Sequence, residues 1–284
     1  MENLRAIIQP VTHNLPIPIR DIGISILGDK CYKDLLLEVD IGSIQCLRLA
    51  ISKGLGISII GASTVVKVPQ IIKLIKSRSA TGLSFLAYIL ETSSYLISLA
   101  YSIRNGFPFS TFGETGLILL QNIIIACLIL SYSGKTNTVA VFVAALSITT
   151  FALFKSTVID IKVLSVLQAA AGALGVTSKI PQIITVWSEG QTGQLSAFAV
   201  FNFLLGSLAR VFTTMQEVND KLILYSYIAG FFFNLLITIQ MIYYWNTQTQ
   251  GSKNELLKQK YKAVTSEPLT PVSKVRSSSN RRRG

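Results

Sequence analysis

A repeat of 112 residues constrains the fold of this chain more than any other feature of its sequence. The tetrapeptide Lys-Val-Pro-Gln at residues 67–70 returns as Lys-Ile-Pro-Gln at residues 179–182. At the same offset, Asn-Ile-Ile-Ile at residues 122–125 returns as Asn-Leu-Leu-Ile at residues 234–237 without a gap. Similarity at a fixed spacing indicates that one structural unit occurs twice.

The composition indicates that these units lie in a membrane. Half of the 284 residues are hydrophobic and only 14% are charged, which is unlike a soluble globular domain. A helix needs about 20 mostly apolar residues to cross a bilayer core of about 30 Å. The sequence predicts seven such spans, at residues 55–75, 83–101, 116–132, 138–154, 163–187, 195–213 and 222–245.

The fourth span has no counterpart in the repeat, so we predict that it links two three-helix units. A single linker helix gives both units the same orientation, and they form parallel repeats around an axis along the membrane normal. The predicted fold is all-α, with seven transmembrane helices arranged as three, one and three. The predicted regions are an N-terminal segment with an amphipathic helix, the first unit, the linker, the second unit and a basic tail, at residues 1–53, 54–132, 133–159, 160–247 and 248–284.

The distribution of charge predicts the orientation of the chain. The formal net charge is +12, and from residue 251 onward nine basic residues face two acidic ones. Basic segments beside membrane spans stay on the cytosolic side, where they contact anionic membrane lipids. We therefore expect a multi-pass protein with a cytosolic C-terminus and a lumenal N-terminus, and no nucleic-acid partner.

Few residues of this chain suit metal binding or catalysis. His13 is the one histidine, and the three cysteines are too few for a disulfide framework. Cys31 and Cys46 could form a disulfide if their segment faces an oxidising lumen, and the sequence leaves this open. No catalytic set of residues, metal site or cofactor motif is present, so we expect neither an enzyme nor a bound cofactor.

Glu91 lies near the middle of the second predicted span. A carboxylate at this depth is unfavourable unless it is paired, neutralised or in contact with water, so it is a candidate substrate-binding or proton site. Alternatively, a protonated Glu91 bonds a neighbouring helix. The equivalent position in the second unit is Phe203, and its neighbour Asn202 is a further candidate.

Asn122 and Asn234 lie at equivalent positions in the third helix of each unit, and Gln121 precedes the first of them. An amide both donates and accepts hydrogen bonds, so these side chains could bind sugar hydroxyls or a phosphate. They could equally join neighbouring helices, as amides in membranes commonly do. Arg210 is suited to binding a phosphate with two parallel hydrogen bonds, or to an ion pair with Glu217.

Pro69 and Pro181 each interrupt a predicted span, because proline removes a backbone hydrogen bond and clashes with the preceding turn. They are candidate hinges, together with Gln70 and Gln182. They could instead form static kinks whose free backbone groups are satisfied by these two glutamines. We expect Lys67 and Lys179 to extend toward the cytosolic face.

The two Pro-Gln motifs and the three-one-three order resemble the PQ-loop repeat family, which is related to the SWEET sugar transporters and cystinosin. Further segments, from about Cys31 to Asn246, resemble the mannose-P-dolichol utilization branch of this family. These segments are residues 52–56, 66–70, 105–110, 113–114, 192–197, 206–213, 216–217 and 244–246.

The resemblance implies a protein of the endoplasmic-reticulum membrane that is needed to use dolichol-phosphate-mannose, and also dolichol-phosphate-glucose, as lumenal sugar donors. It implies a role in N-glycan assembly, O- and C-mannosylation and GPI-anchor synthesis, by presenting or reorienting the lipid-linked sugar. Asn122 and Asn234 match the asparagines that SWEET transporters place at their sugar site, whereas the tryptophan partners of those asparagines are missing here. Two alternatives are a transporter of a small soluble sugar or amino acid, and a scaffold for lumenal glycosyltransferases.

Overall fold

The computed structural model describes residues 10, 12–40, 42–80, 83–190 and 197–245. The regular structure of this part of the chain is helical. The helices are α1 (Ile17–Tyr32), α2 (Ile44–Ser63), α3 (Val68–Ser77), α4 (Phe85–Arg104), α5 (Phe109–Tyr132), α6 (Thr136–Phe154), α7 (Ile161–Thr177), α8 (Ile180–Glu189), α9 (Ala197–Glu217) and α10 (Lys221–Tyr243).

Two three-helix units and one linker helix form the structure, as the repeat predicts. The first unit contains α2 to α5, α6 is the linker, and the second unit contains α7 to α10. The first helix of each unit is broken at the repeated tetrapeptide, where α3 begins after Lys67 and α8 begins after Lys179. Proline fits in the first turn of the new helix, because a backbone N–H at that position has no partner within the helix.

Five helical segments are long and apolar enough to cross a membrane: Ile44–Ser77, Phe109–Tyr132, Thr136–Phe154, Ile161–Ser188 and Lys221–Tyr243. The other two predicted spans correspond to α4 and α9, which have 20 and 21 residues. At 1.5 Å per residue these helices are about 30 Å long, which matches the bilayer core, but they carry more polar side chains. The structure confirms the all-α membrane fold built from two repeats.

The first span begins earlier than the sequence predicts. Helix α2 starts at Ile44 instead of residue 55, although it contains Arg48 and Lys53. Lys53 is accommodated in a helix of this kind because its ammonium group lies 2.6 Å from the Glu217 carboxylate. A charge that is paired by tertiary contacts does not end a span, and the local sequence does not reveal this pairing.

The N-terminal segment is fastened to the first unit by a disulfide between Cys31 and Cys46, which confirms the possible pairing. Helix α1 is kinked at Gly28, whose φ of 78° is unfavourable for residues with a side chain. A short π-helical turn, Lys33–Leu37, follows it. The basic tail lies outside the described residues.

Each unit packs the second of its helices against the first helix of the other unit. Helix α4 packs on α7, and α9 packs on α2. A hydrophobic cluster joins the units and the linker, and its buried members are Leu96, Ala100, Tyr101, Leu119, Leu153, Leu164 and Ile223. This arrangement leaves two interfaces between the units, built from equivalent helices.

Candidate functional site

A cavity of about 260 Å³ lies between the two units. Hydroxyl groups from α4, α5, α9 and α10 line it, including those of Ser94, Ser98, Thr115, Thr214, Ser226 and Tyr227. Hydroxyls both donate and accept hydrogen bonds, so this lining can satisfy a polar ligand within an otherwise apolar helix bundle. We call this space the central cavity.

The lining of the central cavity also contains the amide of Gln168 on α7 and the ammonium group of Lys179 at the break that follows α7. The hydroxyl of Ser98 donates to Oε1 of Gln168 at 2.9 Å, which joins the units across α4 and α7. Lys179 lies at the break between α7 and α8 and is the one charged residue of the described lining. The central cavity therefore has a positive charge at its border.

The contacts of Lys179 are to uncharged groups. Its ammonium group donates to Oδ1 of Asn234 and lies 5.7 Å from the centre of the Phe203 ring. The amide nitrogen of Asn234 in turn donates to the carbonyl of Phe203 at 3.1 Å. Lys179 and Asn234 also line a smaller space of about 120 Å³. No ion pair to Lys179 is present among the residues that the structure describes.

The equivalent lysine of the first unit has an anionic partner. The ammonium group of Lys67 lies 2.7 and 2.8 Å from the two carboxylate oxygens of Glu91. Glu91 occupies the position that Phe203 has in the second unit. Both lysines are held by polar side chains, Lys67 by Glu91 and Lys179 by Asn234, and their extension toward the cytosolic face stays a prediction.

Gln121 bridges the break in the first helix of the first unit. Its Oε1 accepts from the backbone N–H of Lys67 at 2.9 Å, and its Nε2 donates to the carbonyl of Ser63 at 2.8 Å. These two backbone groups would bond each other in an unbroken helix. The Gln121 amide also donates to Leu117, so its hydrogen-bonding groups are used within the protein instead of facing a ligand.

The two asparagines of the repeat have different environments. Asn234 contacts Lys179, whereas Asn122 is fully buried and neither atom of its amide has a hydrogen-bond partner in the described structure. Asn122 does not line the central cavity, and Asn202 is exposed on α9. The structure therefore brings Asn234 to Lys179 in the smaller space, and it places none of Asn122, Asn202 and Asn234 in the lining of the central cavity.

The expected pair between Arg210 and Glu217 is wrong. The guanidinium of Arg210 lies 2.5 Å from the carboxylate of Glu114 on α5, and it also donates to the carbonyls of Ser110 and Thr111 at 3.3 and 3.2 Å. Buried acceptors on α5 thus bind the guanidinium of Arg210, and few of its N–H groups remain to bind a phosphate.

Glu217 instead joins α9 to α2 and α5. Its carboxylate lies 2.6 Å from the Lys53 ammonium and accepts from the hydroxyls of Ser52 and Ser110 at 2.5 and 2.6 Å. Only 2% of its side chain is exposed. We call the set of Lys53, Glu114, Arg210 and Glu217 the ionic interface, and the contact of Ser98 with Gln168 beside the central cavity the hydroxyl interface.

The candidate hinge residues lie at the two breaks. Pro69 and Gln70 line a separate cavity beside α3, while Gln182 lies beside Lys179 and Asn234 in the smaller space. Pro181 is exposed at the second break. Their part in movement remains a prediction.

Sequence reasoning missed the role of Lys179 and the partners of Lys53 and Glu114. A signal for Lys179 was present, because a lysine precedes the Pro-Gln pair in both repeats while the acidic residue Glu91 occurs in one repeat only. For Lys53 there was no such signal, since its partner Glu217 is more than 160 residues away in the chain.

Comparisons with known proteins agree with this division of the chain. The PQ loop repeat family matches residues 51–111 and 163–223, and the two matched segments have the same offset as the internal repeat. Solute carrier family 66 member 3 of Homo sapiens is 27% identical to this chain over 191 residues, which are 67% of this chain and 92% of the human protein. The chain is thus a multi-pass membrane protein in which two segments match the PQ loop repeat, and it is similar to a human member of solute carrier family 66.

Proposed function

We propose that this protein binds dolichol-phosphate-mannose, and also dolichol-phosphate-glucose, in the membrane of the endoplasmic reticulum and presents or reorients the lipid-linked sugar for lumenal enzymes. The observation that carries the proposal is the central cavity, which combines many hydroxyl groups with one cation, Lys179, that has no acidic partner among the described residues.

The lining of the central cavity suits a sugar that bears a phosphate. Hydroxyls and the amide of Gln168 can exchange hydrogen bonds with sugar hydroxyls, while the compact charge of Lys179 can pair with a phosphate oxygen. A charge within a membrane protein is unfavourable unless it is compensated, so a bound anion would stabilise Lys179.

The surroundings of the cavity suit a lipid-linked ligand. Large apolar side chains such as Val166, Leu174 and Ile184 are exposed along α7 and α8, beside the break that carries Lys179. A polyprenyl chain could lie against this apolar surface while its head group enters the cavity, because the exchange of one hydrocarbon surface for another is nearly neutral.

The N-terminal disulfide supports the proposed orientation. Disulfides form in oxidising compartments such as the lumen of the endoplasmic reticulum. The bond between Cys31 and Cys46 is therefore consistent with a lumenal N-terminal segment and, after an odd number of spans, a cytosolic C-terminus.

The proposal is tested in liposomes that contain purified protein and dolichol-phosphate-mannose. We expect the wild-type protein and the variant Lys162→Met to change the accessibility of the lipid-linked mannose to an external enzyme, and Lys179→Met to lose this effect. Lys162 is the matched control because it is exposed at the start of α7. No change by the wild-type protein would contradict a direct action on the lipid.

A second experiment places the protein in its pathway. In cells that lack the protein, wild-type and Lys162→Met chains are expected to restore mature dolichol-linked oligosaccharides, and Lys179→Met is expected to restore much less. Full restoration by Lys179→Met together with Asn122→Ala and Asn234→Ala would instead support a scaffold for lumenal glycosyltransferases.

A transporter of a small soluble sugar or amino acid is the second candidate. Two observations favour it: the central cavity is smaller than the roughly 300–1,000 Å³ of typical drug-sized sites, and a similar human protein is named a solute carrier. Uptake of radiolabelled hexoses or amino acids into proteoliposomes tests this candidate. Uptake that Glu91→Gln reduces would favour a transporter with Glu91 as its proton site over the lipid-handling function.

A further inference from the structure

The first helix of each repeat is broken before the Pro-Gln pair, and the two breaks differ in the hydrogen bonds that stabilise them. The first break covers residues 64–67, and the second covers residues 178–179. Gln121 closes the first break by replacing the missing hydrogen bond between the Ser63 carbonyl and the Lys67 N–H. The residue equivalent to Gln121 in the second unit is Phe233, whose side chain has no group that could bond a backbone.

The backbone groups of the second break bond within its own turn, while the side chain of Lys179 ties the break to Asn234 on α10, as Lys67 ties the first break to Glu91. The N–H of Lys179 donates to the carbonyl of Val176 at 3.2 Å, and the N–H of Ser178 donates to Leu174 at 3.0 Å. Bonds of these two kinds, three and four residues apart, exchange with each other when a helix tightens or relaxes. The second break can therefore change its bend while its backbone groups stay bonded. The first break also has bonds three residues apart, such as that from Thr64 to Gly61, so the two breaks differ in the bridge that Gln121 adds to the first.

A change of bend at the first break would break the hydrogen bonds that the buried Gln121 amide makes with the Lys67 N–H and the Ser63 carbonyl. Only 7% of Gln121 is exposed, so no water is at hand to replace the two lost hydrogen bonds. The ion pair of Lys67 with Glu91 adds a second tie, from the first break to α4. Three elements of the first unit are thus held together at this point.

We infer that Gln121 fixes the first break and that the protein changes conformation by bending at the second break, where Lys179 lies. The first unit is then a rigid frame, and the broken helix of α7 and α8 is the moving part. Because Lys179 lies at the border of the central cavity, this bending moves its ammonium group relative to the cavity. The inference concerns which unit moves and is independent of which ligand the cavity binds.

Distances between spin labels across each break test the inference. One label pair is placed at Ile57 and Ile72, and the other at the repeat-equivalent Ala169 and Ile184, all of which are exposed. The labels are attached to cysteines introduced at these positions, and Cys127→Ser removes the free native thiol. Cys31 and Cys46 remain unlabelled because they form a disulfide. In lipid nanodiscs we expect one narrow distance distribution for the first pair and a broader or two-peaked one for the second. Equal widths for the two pairs in the otherwise unaltered protein would overturn the inference.

Exchange of the two equivalent side chains sharpens this test. Gln121→Leu has a similar size and cannot hydrogen-bond, so it is expected to broaden the distribution of the first pair and to leave the second unchanged. Gln121→Glu keeps the acceptor for the Lys67 N–H and, when ionised, loses the donor to Ser63, so an intermediate width is expected. A narrow first distribution in Gln121→Leu would contradict the inference.

The converse variant, Phe233→Gln, offers the second break an amide and is expected to narrow the distribution of the second pair. If this variant does not fold, the wild-type comparison and the two Gln121 variants still decide the question. The lipid-accessibility assay can fail without any effect on these distances, so the two proposals are judged separately.

Discussion

The two interfaces between the units are built from equivalent helices and differ in chemistry. At position 210 an arginine pairs with Glu114, whereas the equivalent position 98 is a serine that donates to Gln168. Gly56 is the equivalent of Gln168, and a Cβ atom at Gly56 would lie 2.5 Å from the Ser110 carbonyl. The glycine thus lets α2 and α5 pack closely in the ionic interface, while the hydroxyl interface keeps a cavity.

The difference between the two interfaces indicates that one copy of a duplicated contact can stabilise the fold while the other binds a ligand. The ionic interface uses buried pairs that are stable only when every member is present. The hydroxyl interface uses weaker neutral contacts, and Lys179 in the cavity beside it has no acidic partner in the part of the chain that the structure describes. We therefore expect substitutions in the first to reduce stability and substitutions in the second to reduce ligand binding.

The largest effect is expected for Glu217→Ala in the ionic interface. This change leaves the Lys53 ammonium and the hydroxyls of Ser52 and Ser110 without their acceptor. Removal of one partner of a buried ion pair typically lowers the free energy of unfolding by about 3–5 kcal/mol. Denaturant unfolding of the purified protein measures the loss, with the exposed Lys162→Met as control. A stability equal to that of the control would contradict the role of this interface.

Next in size is the effect of Phe203→Glu on ligand binding. A carboxylate at this position reproduces the pair of Lys67 and Glu91 in the second unit, so it neutralises Lys179. Loss of one charge-assisted hydrogen bond of about 2–3 kcal/mol weakens binding of dolichol-phosphate-mannose about 30- to 150-fold. Equilibrium binding in nanodiscs measures the change. Unaltered affinity would show that Lys179 does not contact the ligand.

Substitution of the two repeated asparagines by leucine is expected to have different effects on the stability of the protein. Asn234→Leu removes the acceptor of Lys179 and is expected to lower the free energy of unfolding by about 1–3 kcal/mol. Asn122→Leu replaces a buried amide that has no hydrogen-bond partner in the described structure, so the free energy of unfolding is expected to stay the same or to rise by about 1 kcal/mol. Thermal unfolding of both variants measures the contrast. Equal losses in the two variants would remove this distinction between the units.

The smallest effect is expected for Ser98→Ala in the hydroxyl interface. The substitution removes a single neutral hydrogen bond to Gln168 that faces a cavity. A neutral hydrogen bond contributes about 1 kcal/mol, so the free energy of unfolding is expected to fall by about that amount. The lost hydroxyl also lines the central cavity, so we expect ligand affinity to fall about fivefold. A loss of stability as large as that of Glu217→Ala would mean that both interfaces hold the units together in the same way.

The sequence was sufficient for the architecture. The 112-residue offset predicted two equivalent units, and the lone fourth helix predicted the linker. Both predictions rest on local patterns of apolar residues, which determine helices in a membrane regardless of tertiary contacts. The first membrane span was predicted too short, because a lone lysine at position 53 indicates the end of an apolar span when its distant partner Glu217 is unknown.

The chemistry of the site was less predictable because it depends on which helices touch. Gln121 was expected to bind a ligand, yet its neighbour in space is the break at Lys67, more than 50 residues away. Arg210 was assigned to Glu217, which is close in sequence, but faces Glu114 on another unit. The single useful signal was an asymmetry of the repeat, since Glu91 has no acidic counterpart near Lys179.

The most direct measurement is photo-crosslinking with a dolichol-phosphate-mannose analogue that carries a diazirine on the mannose. The cavity between the units predicts labelled peptides from residues 94–98 of α4 and from residues 168–179, which cover the end of α7 and the second break. We expect excess unmodified lipid and Phe203→Glu to reduce this labelling. Labelling that is confined to the lipid-facing linker α6, or that excess lipid does not reduce, would contradict the central cavity as the ligand site.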